Sequence, residues 1–282
     1  MRLELPLVAA VLSIIGLLAV AGGEDFNPAG EKIPLKLNLA QGDTKRLALD
    51  VDTNIHWRLN DQPTELHLNG SVACEIDVRQ INAGGHYTVQ MIEKRLAYNL
   101  KGGSFNTSFD SDLPADQAKT NSHDQNARQF IGQPISLKLD SLGQPTELVD
   151  IDKLIEDQKT RTPSIAPEWT KQYTSAVMSG LKLVMAPLPN QPVAIGDKWQ
   201  QQCKSDLVAT EATYTLHDYH DGVAYVDIDG TMNVDPGDLK GPIHGQLEIN
   251  QRTGWLIKEI IDLKLTSGEI LKVDGTLTVT GN

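Results

Sequence analysis

A chain of 282 residues with 37 acidic and 25 basic side chains carries a formal charge of −12. Such an acidic surface disfavours DNA, RNA and anionic lipid, whose phosphates are bound through Lys and Arg. The length suits one large β domain or two closely packed halves, with ample material for a core.

Met1 to Ala21 reads as a signal peptide. No charged residue lies between Leu5 and Gly23, and Ala19-Val20-Ala21 supplies the small side chains that a signal peptidase requires. Cleavage after Ala21 would place the remainder in the periplasm or outside the cell. Tethering by an uncleaved N-terminal anchor is the alternative. The apolar run approaches the ~20 residues that span a bilayer, and Arg2 is offset by Glu4 in the n-region. No Cys follows the run, so lipoprotein attachment is not available, and no later stretch is long and apolar enough to span. No integral membrane domain is expected after cleavage.

Residues 22–34 form a lead, and residues 35–149 a first β half. Leu47, Leu49, Val51, Thr53, Ile55, Trp57 and Leu59 alternate with Asp50, Asp52, Asn54, His56 and Arg58, the pattern of a half-buried strand. Strands over Leu66–Ile81 and His86–Leu100 follow, separated by Asn82-Ala83-Gly84-Gly85. The apolar parity of the latter slips from Tyr87, Val89 and Met91 to Leu96, Tyr98 and Leu100, which predicts a β-bulge near Glu93. Ser104 to Gln129 is polar and predicts an irregular loop with a short helix after Pro114. Ile135, Leu137 and Leu139 lead through a turn at Ser141-Leu142-Gly143-Gln144 into a strand ending at Val149.

Residues 150–190 predict a helical insertion. Asp150 or Asp152 caps a short helix through Ile155. Pro167 to Met185 carries Trp169, Tyr173, Val177, Leu181 and Val184 at helical spacing, and Pro187 and Pro189 stop it. Packing against a sheet explains that stripe better than a cofactor face.

The second β half covers residues 191–282. Gly196-Asp197-Lys198-Trp199 opens a strand, and a hairpin turns about His220-Asp221-Gly222, where Asp-Gly suits a tight turn. Gly245–Asn250 pairs with Gly254–Leu265, where Trp255, Ile257, Ile261, Leu263 and Leu265 share a face. Glu269–Thr280 closes the series. The fold class is therefore mostly β with a minor α component. Two antiparallel meanders form a curved sheet or half-barrel, with the helices inserted between them.

Cys74 and Cys203 both lie on the apolar parity of strand-like segments. In an oxidising compartment they form either a disulfide linking the halves or two buried free thiols. His217-Asp218-Tyr219-His220-Asp221 is the densest group of metal-ligand types. Its two His do not share a strand face and it falls at a turn, so ordinary turn chemistry is the better account. Asp50-x-Asp52-x-Asn54 lacks the Gly and distal Glu of a calcium loop, and Asp227-x-Asp229-Gly230 lacks further ligands. No nucleophile elbow, zinc-protease, P-loop or dinucleotide motif occurs. No catalytic residue, metal or cofactor is assigned.

Leu139-Asp140-Ser141-Leu142-Gly143, the stretch from Pro187-x-Pro189 to Gly196-Asp197-Lys198-Trp199, and Thr253-Gly254-Trp255 together resemble a family of secreted bacterial two-part β proteins of unknown function. The resemblance implies an envelope or secreted location without assigned activity. Gly196 and Gly254 are then turn residues, and Trp199 and Trp255 core anchors. The chain is similar, more remotely, to periplasmic half-barrel carriers of lipid or lipoprotein, with no residue match that transfers a site. The expectation is a non-catalytic exported envelope protein that binds a lipid or other apolar ligand or acts as a scaffold. A secreted hydrolase using acidic residues, and an interaction module working through exposed strand edges, are the alternatives.

Overall fold

The computed structural model describes residues 30–59, 62–103, 105–114, 127–161, 167–185, 188–204, 208–234, 238–268 and 271–282. The expected signal peptide and the expected short helix beyond Pro114 lie outside them.

The alternation of the first strand, β1 (Thr44–Leu59), produces the face it predicts. Leu47, Leu49, Val51 and Ile55 are buried, while Asp50, Asp52, Asn54 and His56 stand in solvent. It is followed by β2 (Gln62–Ile81) and β3 (Tyr87–Gly102), which pair as a long antiparallel hairpin. The expected bulge is present. Ala73 faces Arg95 and Cys74 faces Glu93, so Lys94 is the extra residue. The inward set of β3 thereby passes from Val89, Met91 and Glu93 to Leu96, Tyr98 and Leu100.

β4 (Phe105–Asp110) pairs with β3 where an irregular loop was expected. Phe109 anchors it, and the free edge of β3 supplies the hydrogen bonds. Phe109 is buried, and the Arg128 guanidinium lies 5.1 Å from its ring while donating to the carbonyls of Asp110, Ser111 and Leu113. β5 (Pro134–Leu139) and β6 (Pro145–Val149) complete the first meander. α1 (Ile151–Arg161) and α2 (Pro167–Val184) follow.

The second meander comprises β7 (Lys198–Lys204), β8 (Val208–His220), β9 (Val223–Val234), β10 (Leu239–Asn250), β11 (Leu256–Ser267) and β12 (Leu271–Gly281). Asp221 and Gly222 both take positive φ, 53° and 75°, as the tight β8–β9 turn demands.

The strands form a single 12-stranded antiparallel sheet that is not closed. Its order is β6-β5-β3-β2-β1-β12-β11-β10-β9-β8-β7, with β4 alongside β3. The two meanders are joined by β1 and β12, paired from Leu47↔Gly281 to Trp57↔Leu271. The helices connect β6 to β7, the two ends of that order.

Inward side chains of both meanders belong to one buried apolar cluster, so the sheet curls over its own apolar face. Glycine assists the curl where strands approach closely. A Cβ at Gly275 would lie 2.3 Å from the carbonyl oxygen of Asp52, and one at Gly245 2.3 Å from that of Ile260.

Residues 31–43 strap one end of this curled sheet. Ile33, Leu35, Leu37 and Leu39 are buried with exposed residues between them. Ile33 bridges Val193 ahead of β7, the amide of Asn38 donates to Thr253 O (2.8 Å), and the Tyr87 hydroxyl donates to Leu37 O (2.9 Å). The strap thus crosses from the start of the second meander to the β2–β3 hairpin and floors that end.

The disulfide reading is not supported: Cys74 is a free thiol. Cys74 lies on β2 and Cys203 on β7, with β1, β12, β11, β10, β9 and β8 between those strands.

Candidate functional site

Three features define the apolar inner face of the sheet: a floor, a cover and buried carboxyls. At the floor, Leu37, Leu142, Met185, Leu188 and Trp255 surround a hollow of only about 10 Å³. Gly254, at φ 65°, lets the β10–β11 turn lie against the strap, since a Cβ there would be 2.2 Å from Lys36 O. Gly196 (φ 94°) and Gly254 are turn residues and Trp255 is a core anchor, as the resemblance implied. Trp199 is partly buried and stacks on Tyr214 with ring centroids 5.7 Å apart.

The cover is α2. Leu181 is buried and Tyr173, Val177 and Met178 pack partly buried against the core, whereas the Trp169 and Val184 side chains lie outside the described set. Thr170 and Thr174, on the same helix face as Leu181, are buried as well, and both are small and polar. The Thr174 hydroxyl is satisfied within the helix, donating to Thr170 O at 2.9 Å. A helix that docks through hydroxyls and a few apolar side chains gains less from burial than one docking through leucines.

Beneath the cover lies Glu93, on the inward parity of β3 and 5% exposed. Burial pushes its carboxyl up to about 7, and a hydrogen bond from the Tyr173 hydroxyl partly opposes that shift. Tyr173 also stacks on Phe130, centroids 4.1 Å apart. Cys74 is the cross-strand partner of Glu93. Burial, with the nearby Glu93 charge, pushes its thiol far up and away from the reactive thiolate.

Glu259 is the second inward carboxyl. The β10–β11 register shifts beyond Glu248↔Lys258, with Ile249 facing Leu256. The expected shared face of Trp255, Ile257 and Ile261 is therefore interrupted. Leu256 and Glu259 point inward with Ile261, and Ile257 is only partly buried. Glu259 is 1% exposed between its cross-strand neighbours Leu247 and Val279. Neither carboxyl oxygen has a hydrogen-bond partner among the described residues. Burial alone raises it to about 8.

Neither glutamate was singled out by motif, yet both carried a signal. Each is a charged residue on the apolar parity of a strand, Glu93 after Val89 and Met91, and Glu259 before Ile261 and Leu263.

The groups weighed for metal binding are dispersed on the outer face. His217 Nδ1 lies 3.2 Å from Asp227, His220 Nδ1 3.2 Å from Asp218, and His244 Nδ1 2.7 Å from Asp229. His67 Nδ1 meets Asn54 Oδ1 at 3.2 Å and lies 3.6 Å from Asp52. Among the described residues no three His, Cys, Asp or Glu side chains converge as a metal site. A shallow hollow of about 70 Å³ lies beside His217, Tyr225, Glu248 and Lys258. No described helix is long and apolar enough to cross a membrane.

The model of a family of unknown function (DUF6263) matches residues 84–256. Among solved structures, the chain is similar to a lipovitellin structure concerned with lipid–protein interactions. The identity is 11% and the TM-score 0.50, with coverage of 89% of this chain and 25% of that one. At that identity the likeness is one of fold, and the chain spans only 25% of that relative's length. DynF from the dynemicin biosynthesis pathway of Micromonospora chersina aligns over 94% of this chain and 91% of its own. Its 5% identity and TM-score of 0.23 carry no argument. No curated protein matches the sequence.

Proposed function

Since this chain belongs to DUF6263, a family whose function is unknown, its role has to be read from the concave face, and we propose that it is an exported, non-catalytic envelope protein that holds an apolar ligand there. The observation that carries this reading is the mismatch between wall and cover. The wall is apolar from β5 to β8 apart from Glu93, Glu259, Thr53 and Thr210, while the face of α2 that carries Leu181 also carries the buried Thr170 and Thr174. An apolar chain is a better partner for that wall than these hydroxyl side chains.

The described hollows, about 10 and about 70 Å³, are far below the several hundred Å³ of a typical ligand pocket. Entry therefore requires the interior to open, and α2, held to β3 through Tyr173 and Glu93, is the element placed to lift. The lipovitellin-like fold, drawn from a structure concerned with lipid–protein interactions, fits this assignment.

The filled interior supports a second reading, a scaffold with no cargo. Mass spectrometry of organic extracts from natively purified protein separates the two. A lipid recovered in near-equimolar amount supports the carrier. Protein that is consistently free of extractable lipid, and that takes up none from vesicles, leaves the scaffold.

A further inference from the structure

Glu259 is the interior feature that packing does not explain. Its position between Leu247 and Val279 offers no donor or counter-charge, and both oxygens lack a partner among the described residues. Glu93, the other inward carboxyl, has Tyr173. A leucine at position 259 would match its neighbours, so a carboxyl here lowers packing quality without a structural return. The interior holds two more hydroxyls without partners among the described residues, those of Thr53 and Thr210. Thr53 faces Gly275 on β12, four residues from the Val279 that faces Glu259. At about 3.3 Å per residue that places the two about 13 Å apart along the wall. Glu259 is the deeper, three residues past the start of β11 at the strapped end.

Resting on the carrier reading, we propose that Glu259 is the headgroup-recognition point of the concave face. It takes a neutral amphiphile whose hydroxyl, ester or amide group hydrogen-bonds the carboxyl while its apolar chain runs along β11, β12 and β1 toward the opposite rim. The chemistry favours an uncharged group. A carboxyl raised to about 8 keeps its proton at neutral pH, so it presents one O–H donor and a carbonyl acceptor. A phosphate headgroup would bring a desolvated charge with no cation described beside it.

The test compares the intact protein with Glu259→Gln and Glu259→Leu, using 1-monooleoylglycerol and oleylamine as probes, with the thermal midpoint as folding control. Gln preserves a neutral donor and acceptor; Leu removes both. The expected result is monooleoylglycerol binding by the wild type and by Glu259→Gln within a few-fold. Binding by Glu259→Leu should be weaker by about tenfold or more, the scale of one buried hydrogen bond, with an unchanged or raised midpoint. Equal binding by Glu259→Leu overturns the assignment. So does parallel loss in Glu259→Gln, or preference for oleylamine. If lipid co-purifies with the wild type and with Glu259→Leu alike, only the Glu259 assignment falls. If the wild type neither carries lipid nor binds either probe, the carrier reading falls with it.

Discussion

The phenolic hydroxyl of Tyr173 on α2 donates a hydrogen bond to Oε2 of Glu93 on β3, tying the cover to the wall beneath it. Phenylalanine at 173 would keep the stack on Phe130 and remove the hydrogen bond to Glu93. Tyr173→Phe should destabilise by about 1–3 kcal/mol, the cost of leaving a buried carboxyl unsatisfied. Hydrogen exchange would check the location of the effect: α2 amides should exchange faster, while those of β9 and β10 should not change.

Stability should fall as pH rises above about 4.5. Both inward carboxyls hold their protons more tightly folded than unfolded, since burial raises Glu93 from 4.5 to about 7 and Glu259 to about 8. Below 4.5 both states are protonated and the folded state has its full advantage. Between 4.5 and the folded value the unfolded chain releases a proton that the folded one keeps. Each group then removes roughly 1.4 kcal/mol per pH unit until the folded carboxyl also ionises. Urea midpoints from pH 4.5 to 8.5 should show this decline. Glu93→Gln should flatten the part up to about pH 7, and Glu259→Gln the part extending to about pH 8.

Cys74 should behave as an inert core thiol. A thiol pushed up by burial and by Glu93 forms little thiolate at neutral pH. Native protein should leave it unalkylated by iodoacetamide over hours, with modification following only on denaturation. The thermal midpoint should be the same with and without reductant.

Gly254→Ala should cost about 2–4 kcal/mol, because it combines a positive φ with a Cβ in the path of a backbone carbonyl. The clash is with Lys36 O at 2.2 Å, so the strap must give way. Chemical denaturation would give the loss. Limited proteolysis near residues 31–43 should become faster than in the wild type.

Patterns that repeat along a strand or helix were legible in the sequence, because each is set by the chain's own periodicity. β1, the slip in β3, the Asp221-Gly222 turn and α2 all fall in this class. β4 was not, since its pairing depends on the free edge of β3 and on Arg128 reaching Phe109. Cys74 packs against the core as its parity predicted, but parity says nothing of how many strands separate two positions. The glutamates of the site were visible as charges on an apolar parity. That Tyr173 would answer one of them and nothing described would answer the other depends on tertiary placement.

The β1–β12 junction sets a condition on folding kinetics. Residues 47 and 281 must meet before the two meanders share one sheet, so closing that seam carries the entropy of a loop nearly as long as the domain. Each meander can zip up early through its own hairpins. Until the seam forms, both expose an apolar face and an unpaired edge to whatever else is present. The slow step should therefore be the joining of two preformed halves. Weakening β12, as by Leu277→Ala, should prolong that vulnerable interval more than an equal loss within β8 or β9.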